Sequence, residues 1–105
     1  MMKLLQVDFD YHGPMGEAMS QALVGLAESI NQEPGLIWKI WTENEKEKLG
    51  GGIYLFETEQ TAQDYLDMHS ARLKQMGVPE VRGIIFDINL PLSTINQAPL
   101  KVRGA

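Results

Sequence analysis

The stretch Gly35-Leu36-Ile37-Trp38-Lys39-Ile40-Trp41-Thr42-Glu43 is answered, across a charged turn, by Gly50-Gly51-Gly52-Ile53-Tyr54-Leu55-Phe56. Both arms are rich in β-branched and aromatic residues. They are bounded by Pro34-Gly35 on one side and by three glycines on the other, which predicts a β-hairpin. Successive strand side chains point to opposite faces, so Trp38 and Ile40 are expected on one side and Ile37 and Trp41 on the other. The strand is therefore apolar on both faces. In a sheet covered by helices on one face only, one tryptophan would stand in water unless a second layer covered it.

Working outward, Lys3 to Tyr11 alternates, with Leu5, Val7, Phe9 and Tyr11 on one apolar face, and reads as the first strand. His12-Gly13-Pro14 turns the chain into a helix expected to run to Ile30. Its inward stripe is Met15, Met19, Ala22, Leu23, Leu26 and Ile30. Gly16 and Gly25 weaken that helix by up to about 1 kcal/mol each, so it depends on packing. After the hairpin, Thr58 is placed to cap a second helix, which Gly77 and Pro79 stop. Ala62, Tyr65, Leu66, His69, Leu73 and Met76 form its inward stripe, which sets a histidine among core positions. Glu80 to Leu90 is the last strand. Gly50 to Gly52 read as a bulged strand entry, because no Lys-Ser or Lys-Thr follows to make a phosphate loop. Glu43 to Lys48 is a solvated turn.

The element order is thus βαββαβ, the α+β ferredoxin-like arrangement: an antiparallel sheet with both helices on one face. The first and third strands are central there, and the Trp-bearing second strand is an edge. Residues 1–91 make one domain, and residues 92–105 a C-terminal tail whose spaced apolar side chains suit packing on a partner subunit, with 101–105 fraying. A homodimer formed by the open sheet faces would bury the spare tryptophan.

Composition excludes several function classes. A net charge of −5, with nine dispersed Lys and Arg in 105 residues, argues against nucleic acid as a partner. No apolar run approaches the length of a membrane span, and the short apolar start of the chain is interrupted by Gln6 and Asp8. There is no cysteine, hence no disulfide framework or thiolate chemistry. A cytoplasmic location is expected, with neither membrane nor nucleic-acid partners.

Several separated segments together resemble the YdhR family. They are Asn31-Gln32-Glu33-Pro34-Gly35, Trp38-Lys39, Trp41-Thr42-Glu43, Gly51-Gly52-Ile53-Tyr54-Leu55-Phe56, His69-Ser70-Ala71-Arg72-Leu73-Lys74, Phe86-Asp87 and Pro91-Leu92-Ser93-Thr94-Ile95-Asn96-Gln97. The resemblance spans nearly the whole chain, departing at His12, where that family carries asparagine, and at Lys101 to Ala105. It implies a dimeric α/β barrel classed with mono-oxygenases, by likeness to cofactor-free enzymes that oxidise polycyclic aromatic antibiotic precursors.

Within that frame the candidate catalytic residues are His69 as proton acceptor, Arg72 one turn on to hold an enolate or phenolate oxygen, and Tyr54 to orient the ligand by its hydroxyl. Trp38, Phe56 and Trp41 are the candidate aromatic wall for a hydrophobic aromatic small molecule. His69, Arg72, Tyr54 and Trp38 are expected to surround one pocket. The plainer readings are a core histidine with its polar tip satisfied, a solvated arginine and ordinary aromatic core. Two histidines in distant elements do not suggest a metal site, and no cofactor is expected. The alternatives are a non-catalytic dimeric small-molecule-binding module, or a haem-binding mono-oxygenase with His69 as axial ligand.

Overall fold

The structure, a computed structural model, describes residues 1–100. Strands β1 (Lys3–Asp10), β2 (Leu36–Asn44), β3 (Leu49–Phe56) and β4 (Arg82–Asp87) form one antiparallel sheet in the order β2-β3-β1-β4. Helices α1 (Gly16–Ala22) and α2 (Val24–Ile30) join β1 to β2, α3 (Glu59–Gln75) joins β3 to β4, and α4 (Leu90–Ile95) follows β4. This is the ferredoxin-like α+β arrangement, with β1 and β3 central. No helix among the described residues is long and apolar enough to cross a membrane.

One face of the sheet makes the core. Leu5, Val7, Tyr54 and Phe56 bury against Ile30, Ala62 and Tyr65, with Phe9, Leu26, Leu66, Val81 and Ile85 closing around them. The two helical layers hold to this face unequally. On α3, Ala62, Tyr65, His69 and Leu73 are buried, and a buried side chain of Leu size stabilises by about 1.5–3 kcal/mol. No residue of α1 and only Ile30 of α2 is buried. The α1–α2 layer is therefore the loosely held one, which leaves space beneath it. The start of α3 is fixed locally: the Thr58 hydroxyl accepts from Thr61 N at 3.1 Å and the Thr61 hydroxyl from Thr58 N at 3.3 Å.

Three expectations are corrected. The first helix is not continuous: Leu23 leaves helical geometry at φ −109°, ψ 13°. Directly after it come β-branched Val24 and then Gly25, both poor helix formers. The glycine run is not a bulged entry either. Gly50, Gly51 and Gly52 pair in regular register with Glu43, Thr42 and Trp41, and their lack of a side chain serves close approach: a Cβ on Gly51 would lie 2.0 Å from Val7 O. Finally, β4 ends at Asp87 and the segment beyond it begins as a helix, with the Asn89 side chain accepting from Leu92 N at 3.1 Å.

That segment returns across the sheet from the β4 edge to the β2 edge, where the Trp38 indole N–H donates to Pro99 O at 2.7 Å. Leu92 and Ile95 remain largely exposed. The expected fraying of residues 101–105 lies outside the described residues.

Candidate functional site

What β2 contributes to the site follows from one irregularity in that strand. Leu36 pairs with Phe56 and Trp38 pairs with Leu55, so Ile37 is an extra residue and forms a β-bulge. Strict alternation from Leu36, which lies in the helix-covered core, would have aimed Trp38 and Ile40 at the helices. The bulge shifts the phase by one. Lys39 and Trp41 therefore stand opposite Tyr54 and Gly52 on the helix-covered face, and Trp38 and Ile40 stand opposite Leu55 and Ile53 on the open face.

Between that face and the loosely held α1–α2 layer lies a cavity of about 560 Å³, well within the range of small-molecule sites. Its walls are mainly apolar and aromatic, with Phe9, Tyr11, Leu23, Leu26, Trp41 and Leu73 prominent, and Lys39, Tyr54 and His69 supply polar atoms. His12 and the Met76–Pro79 segment also line it. A second hollow of about 450 Å³ between α1–α2 and the β2 edge shares Lys39, Trp41, Met19 and Leu23 with the first.

His69 is 4% exposed. Its ring stacks on Tyr65, with centroids 5.1 Å apart and planes 24° from parallel, and its Nδ1 lies 2.9 Å from an Arg72 terminal nitrogen and 3.3 Å from Arg72 Nε. A guanidinium can only donate, so Nδ1 must accept and the neutral ring carries its proton on Nε2. Burial first, then the charges of Arg72 and Lys39, pushes the His69 pKa down to about 3, so the ring is neutral at ordinary pH. Nε2 has no hydrogen-bond partner among the described residues, yet no buried side-chain polar atom is left unsatisfied there. Nε2–H therefore reaches the cavity as a donor, and the nitrogen that could have accepted a proton is occupied.

Tyr54 lies beside this pair, and the Tyr65 hydroxyl donates to the Tyr54 hydroxyl at 3.3 Å. Burial, reinforced by Tyr65, drives the Tyr54 pKa far above the ordinary phenol value, so Tyr54 is a neutral hydroxyl with its own proton free to donate.

Lys39 is the residue the sequence reading passed over. Its Nζ sits 3.3 Å from the centroid of a Trp41 ring and 4.8 Å from that of Tyr54, and it forms no ion pair with a carboxylate among the described residues. Burial, and after it the charge of Arg72, pulls its pKa from 10.5 down to about 7. The side chain fits because Gly52, diagonally across on β3 and opposite Trp41, carries no side chain: a Cβ there would lie 2.7 Å from Lys39 Cε. The signal was present in the sequence as a lone cation flanked by Trp38 and Trp41 in an otherwise apolar run, but its face depended on the bulge.

Of the expected site residues, His69, Tyr54 and Trp41 come together around the cavity. Arg72 stands behind His69 as its donor. Phe56 is fully buried in the core behind Tyr65, with ring centroids 5.4 Å apart. Trp38 does not join the expected pocket, because the bulge turns it to the opposite face of the sheet. No group of three or more His, Asp or Glu among the described residues is placed to hold a metal ion.

Compared with known proteins, residues 4–99 match the family model described as "Putative mono-oxygenase ydhR". No curated protein matches the chain.

Proposed function

Because the chain belongs to the ydhR family, we propose that it is a mono-oxygenase that oxidises a flat hydrophobic aromatic molecule in the cavity beneath α1–α2, without a cofactor of its own. The observation that supports this reading is the convergence, inside an apolar cavity, of one amine able to accept a proton with two neutral donors, Tyr54 O–H and His69 Nε2–H. Lys39 takes the part of proton acceptor in place of His69, since its pKa of about 7 is matched to a base working near neutrality. It removes the acidic O–H or C–H proton of an anthrone-like phenol. The anion left behind is stabilised where charge develops by the Tyr54 and His69 donors, with Arg72 polarising the imidazole from behind. That anion reduces dioxygen: one oxygen atom stays in the product as a new carbonyl, the other leaves in water with the two hydrogens lost from the substrate, and all electrons come from the substrate. The protein supplies position, dryness and electrostatics.

The test is oxygen uptake by metal-free protein with a polycyclic phenol, compared with His69→Phe, which keeps the stack on Tyr65 and removes the Nε2 donor. Loss of about 10²-fold in turnover is expected in a variant that still unfolds cooperatively, its urea midpoint lowered by the loss of the Arg72–Nδ1 contacts. Ligand binding without oxygen uptake would overturn the mono-oxygenase reading and leave a binding module.

The functional unit in this proposal is a homodimer joined through the open sheet face. There Trp38, Leu55, Leu4 and Phe86 form one row across the four strands, and Ile40, Ile53, Gln6 and Ile84 the next. Ile40, Ile84 and Phe86 are 52%, 53% and 40% exposed, large apolar side chains left in water on both edges of the face, of the kind that mark an interface. The exposed Leu92 and Ile95 of the C-terminal segment would extend it.

A further inference from the structure

We propose that Lys39 is a nucleophilic amine that captures apolar aldehydes and ketones as a Schiff base within the cavity. This chemistry requires no oxygen and does not depend on the mono-oxygenase reading. Three features of the site carry it. The amine is held in the wall of an apolar cavity with no carboxylate bonded to it, so nothing fixes it as an ammonium. Its stem runs over the bare backbone of Gly52, where a Cβ would lie 2.7 Å from Cε, so there is room for Nζ to lie in the cavity wall beside Trp41 and Tyr54. The Trp41 face, 3.3 Å from Nζ, would stabilise the cationic iminium by cation–π attraction once it forms.

The charged and titratable groups around the amine are consistent with this use. Arg72 and His69 face it from α3 and Tyr54 from β3. Glu43 lies on β2, Glu28 on α2, and Asp10, Tyr11 and His12 on β1 and the turn after it, all lining one or the other hollow. Of these, Glu43 is engaged elsewhere, accepting from Gly16 N at 3.1 Å. Desolvation and a neighbouring cation are the two means by which enzymes keep a lysine neutral for carbonyl attack. Both act here, since burial and Arg72 lower the pKa to about 7.

The step is balanced without an external oxidant or reductant. The neutral Nζ lone pair adds to the carbonyl carbon, the C–N bond forms, and the C=O π electrons pass to oxygen. A proton moves from nitrogen to that oxygen, for which Tyr54 O–H and His69 Nε2–H are the nearby donors. The carbinolamine then loses water to leave the C=N bond, and hydrolysis by the same path in reverse frees the ligand.

Reductive trapping tests the proposal on the full-length protein. It is incubated anaerobically with 2-naphthaldehyde and sodium cyanoborohydride at pH 7, and the modified lysines are identified by peptide mass mapping. The six lysines of the chain compete in one tube, so Lys3, Lys46, Lys48, Lys74 and Lys101 act as internal controls. With its pKa near 7, a large part of the Lys39 amine is neutral at that pH, against about three parts in ten thousand for an ordinary lysine. Lys39 is expected to be trapped at least about tenfold faster than any other lysine, with the rate rising through pH 7 to 8.5, and Lys39→Arg should abolish the fast component. Labelling spread evenly over the lysines, or Lys39 modified last, would overturn the proposal. Because the assay excludes oxygen, its failure leaves oxygen uptake untouched, and the reverse also holds.

Discussion

Replacing Lys39 by methionine should stabilise the protein at neutral pH, and the gain should shrink as pH rises. Methionine keeps an unbranched stem of similar length and removes the amine. A lysine pKa lowered from 10.5 to about 7 corresponds to about 5 kcal/mol of disfavour for the charged form in the folded state. One opposing effect is the attraction of the ammonium to the Trp41 face at 3.3 Å, at most about 2 kcal/mol for a desolvated pair. Burial wins by about 3 kcal/mol or more, so half-titration falls between about pH 7 and 8.5. The direction follows from proton counting. Between the folded pKa and 10.5, the unfolded chain holds a proton at position 39 that the folded chain does not, so wild-type stability climbs by about 1.4 kcal/mol per pH unit. Below that window the full cost of a buried ammonium is present, and above it there is none. Lys39→Met does not titrate at this position, so its advantage should be about 3–5 kcal/mol at pH 6 and close to nothing at pH 10. Urea unfolding of both proteins from pH 6 to 10 measures the difference directly, with the other groups common to both. An offset that stays constant across the range would mean that Lys39 has an ordinary pKa, and the base assignment would fail with it.

Three further perturbations test the geometry. Gly52→Ala places a methyl 2.7 Å from Lys39 Cε and 3.1 Å from Tyr54 Cε1. It should cost about 1–3 kcal/mol by overpacking and push the amine out toward water, so that its pKa, followed by NMR of labelled lysine, returns toward 10.5; an unmoved titration would show that the room over Gly52 is not what lets the side chain lie in the cavity wall. On the open face, Phe86→Asp buries a charge in the proposed interface, and truncation after Leu90 removes its α4 extension together with the Trp38 acceptor at Pro99. Sedimentation at micromolar concentration should show a dimer for the parent and a weakened or lost one for both variants, and a monomeric parent would refute the interface.

How much of this was legible in the sequence differs from element to element. The four strands, the Thr58 cap, the inward placing of Ala62, Tyr65, His69 and Leu73 and the ferredoxin-like order all follow from local periodicity and from residues that start or stop an element. Those signals act over one or two turns of chain, so they survive without knowledge of what packs against them. Along most of the molecule, burial then only has to choose which face is covered.

The site was decided elsewhere. In β2 both faces are apolar, so the hydrophobic pattern cannot fix the phase of the strand, and one extra residue at Ile37 exchanges Trp38 for Trp41 and brings Lys39 inward. Nor does the spacing of His69 and Arg72 reveal which of them acts on the other. Only the contact of the guanidinium with Nδ1 makes the imidazole a donor, and the proposed basic role of Lys39 rests on that contact. The sequence by itself determined the layers and the presence of aromatic and cationic groups near the sheet. Tertiary structure decided their sidedness and protonation, because a bulge is set by pairing with a neighbouring strand and a pKa by burial and by charges brought close from distant parts of the chain.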